Sequence, residues 1–121
     1  MTAQRNALVV DDHPTNRLLA SAILKKLGWM VMEAESGSAA LTLAAKHAFR
    51  LVLLDISMPG LSGEDTCIQL RAAEANPPPH IVAYTAHAFP EDREHLLAEG
   101  FDDVLVKPIS RQRLEELTAN L

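Results

Sequence analysis

Three carboxylates, a hydroxyl and an ammonium stand at the downstream ends of short apolar runs in this chain. Asp11 and Asp12 follow Ala7-Leu8-Val9-Val10, and Asp55 follows Leu51-Val52-Leu53-Leu54. Thr85 follows Ile81-Val82-Ala83-Tyr84, and Lys107 follows Val104-Leu105-Val106. Three carboxylates brought close together repel unless a cation holds them. Magnesium, or manganese in its place, suits such a set because it takes oxygen ligands, keeps several waters and commonly binds one or two carboxylates plus a phosphate. A carboxylate can also act as a nucleophile and form an aspartyl-phosphate. Asp55 stands singly and fits that role, while the adjacent Asp11 and Asp12 fit the metal. Lys107 offers a compact positive charge and Thr85 a hydroxyl donor for phosphoryl oxygens. Taken one at a time, these residues have plainer readings: an Asp-Asp pair as a solvated turn, Asp55 as a helix cap, Thr85 as a strand-end hydroxyl, Lys107 as a surface residue before a turn. Their joint order and spacing is what points to a site.

The elements that must position them follow from the hydrophobic pattern. Short branched runs separated by helix-like stretches read as buried parallel strands. Ligands of an open α/β sheet bind in the crevice at the carboxyl ends of its strands. From Thr85 to Lys107 is 22 residues and from Asp55 to Thr85 is 30, each about one βα unit, and the 43 from Asp12 to Asp55 suit two. A first helix opens near Pro14, with Leu19, Ala22, Ile23 and Leu27 expected inward and Gly28 as its stop. Trp29–Ala34 reads as a second strand. Ser36 caps a helix to about His47, with Ala40, Leu41 and Ala44 inward. After Pro59-Gly60 and Gly63, a helix to about Glu74 buries Cys67 and Leu70. Pro77-Pro78-Pro79 is a stiff connector, a fourth helix runs from about Pro90 to Gly100, and Ser110 caps a fifth to about Ala119. Right-handed crossovers make five such units a three-layer α/β/α sandwich.

At 121 residues this is a single domain spanning 1–121, with 48% apolar and 22% charged residues, a globular composition. The net charge of -5 and the absence of a Lys/Arg cluster argue against nucleic-acid binding. No run approaches the length of a membrane span, and residues 1–6 lack a secretory apolar region, so no direct membrane contact is expected. The lone Cys67 excludes an internal disulfide and suits a reducing cytoplasm. The five histidines show no ligand spacing and read as surface residues.

With those residues in hand, the chain resembles the receiver domain of two-component response regulators over essentially its whole length. The matching motifs are Val9-Val10-Asp11-Asp12, Leu53-Leu54-Asp55-Ile56-Ser57-Met58-Pro59-Gly60, Gly63, Tyr84-Thr85-Ala86, and Gly100-Phe101-Asp102-Asp103 leading to Lys107-Pro108-Ile109. The resemblance implies a flavodoxin-like (βα)5 fold with parallel strand order 2-1-3-4-5. It implies that Asp55 accepts a phosphoryl group from a phosphohistidine, with magnesium held by Asp12, Asp55 and the carbonyl of Ser57, and Asp11 assisting. Thr85 and Lys107 would contact the phosphoryl oxygens, with Ala86 beside them, and a cis peptide would precede Pro108. Side chains at Ser57 and His87 would tune phosphoryl lifetime. The partner would be a histidine kinase or histidine phosphotransfer domain docking on the first helix, where Arg17, Leu18 and Ser21 are expected to face outward. The domain would be a monomer or weak dimer that signals without turning over a separate substrate.

Asp12-His13-Pro14-Thr15-Asn16-Arg17 and the stretch Tyr84–Arg93 look most like receivers of hybrid sensor kinases and phosphorelays. The chain stops after the fifth helix without a DNA-binding or catalytic output unit, which fits a stand-alone relay protein and a domain of a kinase equally. One position departs from the family: Val104 stands where switch-type receivers carry Tyr or Phe, so output through an aromatic rotamer is not carried over. A haloacid-dehalogenase-type phosphatase would need an Asp-x-Asp loop, and a flavodoxin a Ser/Thr/Gly-rich phosphate loop; neither is present. A phosphate-independent pseudo-receiver would normally have lost an acidic or Lys position, and none is lost.

Overall fold

Residues 5–58, 60–75, 78–86, 89–119 and 121 are described by the structure, a computed structural model. Five strands, Asn6–Val10 (β1), Met30–Ala34 (β2), Leu51–Asp55 (β3), His80–Thr85 (β4) and Asp103–Val106 (β5), alternate with five helices. The helices are Pro14–Lys26 (α1), Gly37–Lys46 (α2), Gly63–Ala72 (α3), Pro90–Ala98 (α4) and Arg111–Thr118 (α5). All strand pairs are parallel and the sheet order is β2-β1-β3-β4-β5, the expected flavodoxin-like arrangement. The bond between Lys107 and Pro108 is cis, as the resemblance implies.

Side-chain alternation along the strands splits the interior in two. Leu8, Val10, Val52, Leu54, Ile81, Ala83 and Val104 face α2, α3 and α4, meeting Ala40, Cys67, Leu70 and Leu96. Ala7, Val9, Leu51, Leu53, Val82, Tyr84 and Leu105 face α1 and α5, meeting Ala20, Leu24 and Leu114. Full burial of a Leu such as Leu24 or Leu114 contributes about 1.5–3 kcal/mol, so both layers are needed to hold the sheet. β2 lies at the edge; Met30 and Met32 are exposed and only Ala34 is fully covered.

Local signals set the helix ends. The hydroxyls of Ser36, Ser62 and Ser110 accept hydrogen bonds from the amides of Ala39, Asp65 and Arg113 at 3.1, 3.1 and 3.2 Å, each cap worth about 1 kcal/mol. Gly28 ends α1 with φ of 95°, a conformation that costs glycine nothing.

The inner face of α1 differs from the sequence reading. Ala20, Ser21 and Leu24 are buried, with Ile23 and Leu27 packed at the margin, whereas Leu19 is exposed to 45% and Ala22 is also exposed. The expectation that Ser21 faces outward for partner docking is therefore wrong. Successive helical residues are 100° apart, and Ser21 falls in the same inward arc as Leu24, where a small side chain fits under the helix.

Candidate functional site

The register of the sheet brings the sequence-selected residues to one rim. Val10 pairs with Leu54, so the next residues, Asp11 and Asp55, emerge side by side, while Thr85 pairs with Val106, the residue before Lys107. The Lys107 amide donates to the Thr85 carbonyl at 2.7 Å, continuing the ladder beyond β5. Thr85 is buried at the end of β4 and Ala86 is exposed just beyond it. His87, expected to tune lifetime, lies outside the described residues.

Asp55 is almost wholly enclosed, at 1% exposure, and its two oxygens are treated differently. Oδ1 accepts the Ser57 amide at 3.1 Å and lies 3.2 Å from Lys107 Nζ. Oδ2 is buried without a hydrogen-bond partner. Lys107 Nζ is also 3.7 Å from Asp11 Oδ2 and sits 4.8 Å from the centre of the Tyr84 ring, so the ammonium spans two carboxylates over an aromatic face. Burial is the main cause holding the Asp55 carboxyl above its ordinary value of 3.8; the Ser57 amide opposes this, Asp11 reinforces it, and Lys107 pulls it back down. Burial likewise pushes the Tyr84 hydroxyl up.

The acidic side of the site is similarly incomplete. Asp11 Oδ2, Asp12 Oδ1 and Asp55 Oδ2 are buried and lack hydrogen-bond partners. One oxygen from each of these residues and one nitrogen of His13 lie within 4.8 Å of one another. Unpartnered buried carboxylate oxygens that converge are costly unless a cation completes them. The donor set is rich in oxygen and fits a hard divalent ion.

Backbone packing holds the loop after β3 in place. A Cβ on Gly63 would come within 2.5 Å of the Asp55 carbonyl oxygen and 2.6 Å of the Ile56 Cα. Only glycine lets the start of α3 close on the loop that carries Asp55 and Ser57. On α1, Arg17 donates to the Asp11 carbonyl at 2.9 Å and pairs with Glu33 at 3.2 Å, so it braces the acidic loop as well as lining the surface. Leu18, at 63% exposure, does face outward. Val104, at the position of the expected switch aromatic, is fully buried beside Ala83.

Sequence reasoning missed two contributors. The bracing role of Arg17 depends on contacts with β2 and the backbone that no local motif encodes. His13 reads as a surface histidine, yet its Nδ1 lies 3.1 Å from Asp12 Oδ1 and 3.5 Å from Asp11 Oδ1; its adjacency to Asp11-Asp12 was the available signal.

Comparison with known proteins agrees with this geometry. The family model for the response regulator receiver domain matches residues 7–119. The chain is 42% identical over 113 residues to sensor protein GacS of Pseudomonas syringae pv. syringae, covering 91% of this chain and 12% of that protein. It is 43% identical over 121 residues to virulence sensor protein BvgS of Bordetella pertussis, covering 93% of this chain and 10% of that one. The chain thus spans about a tenth of the length of these relatives. Among solved structures, the chemotaxis protein CheY4 of Vibrio cholerae matches with a TM-score of 0.90 at 29% identity, covering 98% of this chain and 100% of that one. The receiver domain of sensor histidine kinase PA1611 from Pseudomonas aeruginosa PAO1, which has magnesium coordinated in its active-site cleft, matches with a TM-score of 0.84 at 33% identity, over 95% of this chain and 94% of that one. With its acidic cleft, its Lys107 bridge and its five-stranded parallel sheet, this chain belongs to the response regulator receiver domains.

Proposed function

We propose that this domain accepts a phosphoryl group on Asp55 from a phosphohistidine of a histidine kinase or histidine phosphotransfer domain, within a His-Asp phosphorelay. The observation that carries the reading is the division of labour at Asp55. Oδ1 is held by the Ser57 amide and Lys107, which leaves the partnerless Oδ2 to attack phosphorus. As the new oxygen–phosphorus bond forms, the phosphorus–nitrogen bond of the donor breaks and its electron pair returns to the imidazole. The product is an acyl phosphate. Phosphoryl transfer asks the protein for position and counter-charge and little covalent chemistry. Lys107 supplies the positive charge on one side and the Thr85 hydroxyl a donor on the other.

Asp12, Asp55 and the Ser57 carbonyl would hold Mg2+ or Mn2+, with Asp11 assisting; the bound ion would supply charge neutralisation for the phosphoryl oxygens. The Ser57 side chain, two residues beyond Asp55, would flank the approach of a hydrolytic water and so tune the lifetime of the phosphoryl group. Arg17 and Leu18 would form part of the docking surface for the donor helix. The domain passes a signal by being modified and needs no separate turnover reaction. No helix among the described residues is long and apolar enough to cross a membrane.

Mass spectrometry after incubation with acetyl phosphate and Mg2+ tests the assignment. Wild type should gain one phosphoryl group, and Asp55→Asn none. Full phosphorylation of Asp55→Asn would sink the choice of nucleophile.

A further inference from the structure

We infer that His13 supplies a nitrogen ligand to the divalent cation of this site and so shifts its preference from magnesium toward first-row transition ions. The inference rests on the phosphoacceptor reading and extends it to the identity of the metal.

His13 occupies the N-cap position of α1, yet its side chain makes no capping hydrogen bond. Its side chain is 66% exposed, so core packing does not explain where it sits. Its backbone amide is fixed by Asp11 Oδ1 at 2.9 Å, which anchors the residue at the mouth of the cleft. From there Nδ1 reaches to 3.1 Å from Asp12 Oδ1 and 3.5 Å from Asp11 Oδ1. The contact with Asp12 Oδ1 is close without forming a hydrogen bond, since that oxygen remains unpartnered. An ion held by one oxygen from each of Asp11, Asp12 and Asp55 therefore lies within reach of the imidazole, because one ligand atom from each of the four residues falls inside the same 4.8 Å.

The chemical consequence follows from ligand type. Magnesium gains little from an imidazole, since it demands oxygen ligands in a strict octahedron. Transition ions take imidazole nitrogen more readily than magnesium does, manganese the least among them, and the carboxylates accept either class. A nitrogen at this site therefore separates two ions that an all-oxygen cleft would treat more alike.

Titration calorimetry with Mg2+ and with Mn2+, on wild type and His13→Ala, measures the selectivity. His13→Ala should lose about tenfold in Mn2+ affinity and less than about threefold for Mg2+. Electron spin-echo spectroscopy of the Mn2+-loaded protein reads ligation directly: wild type should show imidazole nitrogen modulation and His13→Ala should not. Mn2+ binding to wild type without that modulation, or equal losses for both ions in the variant, would overturn the role of His13 alone. Wild type that binds neither ion would overturn the phosphoacceptor reading along with it.

Discussion

Replacing Asp55 by Asn should stabilise the metal-free protein, although it breaks the ion pair with Lys107. Ligand oxygens of Asp11, Asp12 and Asp55 lie within 4.8 Å of one another. At that separation and an effective dielectric of about 20, each neighbour repels the Asp55 charge by about 3.5 kcal/mol. Lys107 at 3.2 Å attracts it by about 5 kcal/mol on the same scale. Two repulsions thus exceed one attraction by about 2 kcal/mol, and burial of the charge acts in the same direction. Asp12 is 26% exposed, so its share is screened and the charge terms roughly cancel; burial, the largest cause acting on the Asp55 carboxyl, then decides the sign, and a net gain of about 1–2 kcal/mol is the expectation. For a domain of this size that is a rise of about 3–8 °C in Tm. The assay is thermal unfolding at neutral pH in the presence of a chelator. The pH dependence has a definite sign. Because folding raises the Asp55 carboxyl above its ordinary 3.8, its stabilising contribution is complete below that value and is lost as pH climbs through the raised one. The gap between variant and wild type should therefore open as pH rises and close in acid. Adding Mg2+ should narrow it, since wild type gains binding energy that the variant partly forgoes. Asp55→Asn melting below wild type in chelator at neutral pH would show that the Lys107 pairing outweighs the repulsion, and the electrostatic account would fail.

Three further substitutions probe other parts of the site. Lys107→Met removes the counter-charge facing Asp55 and should slow phosphorylation by acetyl phosphate by about 100-fold; an unchanged rate would assign that charge elsewhere. Gly63→Ala forces a methyl group onto the Asp55 carbonyl and should cost about 2 kcal/mol or more in chemical denaturation, with slower phosphorylation; wild-type stability would mean that α3 can retreat freely. Leu18→Glu should slow transfer from a phosphotransfer partner by about tenfold, the loss expected when a side chain that carries binding energy is truncated or charged, while leaving acetyl phosphate kinetics alone. Equal slowing of both would place Leu18 in support of the fold.

The site was legible in the sequence because parallel strands are short, buried on both faces and end at one rim. An apolar run followed by a polar residue therefore reports position directly, and Asp11, Asp12, Asp55, Thr85 and Lys107 all came out at strand ends. The helices carried weaker information. In α1, Leu18-Leu19-Ala20 and Ala22-Ile23-Leu24 place apolar side chains at nearly every angle, so two inward faces fit the same pattern. Only packing on the sheet chose Ala20, Ser21 and Leu24. Interactions across long stretches of sequence were illegible altogether. Arg71 donates to the carbonyls of Gly100 and Pro79 and pairs with Asp102, whose carboxylate also accepts the Ile81 amide. This network ties α3 to the starts of β4 and β5 through residues that no motif connects.

The two-sided interior described above also governs how such a domain can diversify. A peptide sheet separates the side chains that meet α1 and α5 from those that meet α2, α3 and α4. Changes in volume on one side are absorbed among neighbours on that side, and distant substitutions combine almost additively. Under the proposed function, the helix that carries Leu18 would be the one to re-specify for a new phosphoryl donor, while the opposite layer keeps its packing. The strand-end cluster is tied to both layers, through Arg17 of α1 and through Gly63 of α3, so those two positions must stay as they are. In a duplicated copy, on the same reading, surface changes on α1 that leave Arg17 in place would be the route to a different donor.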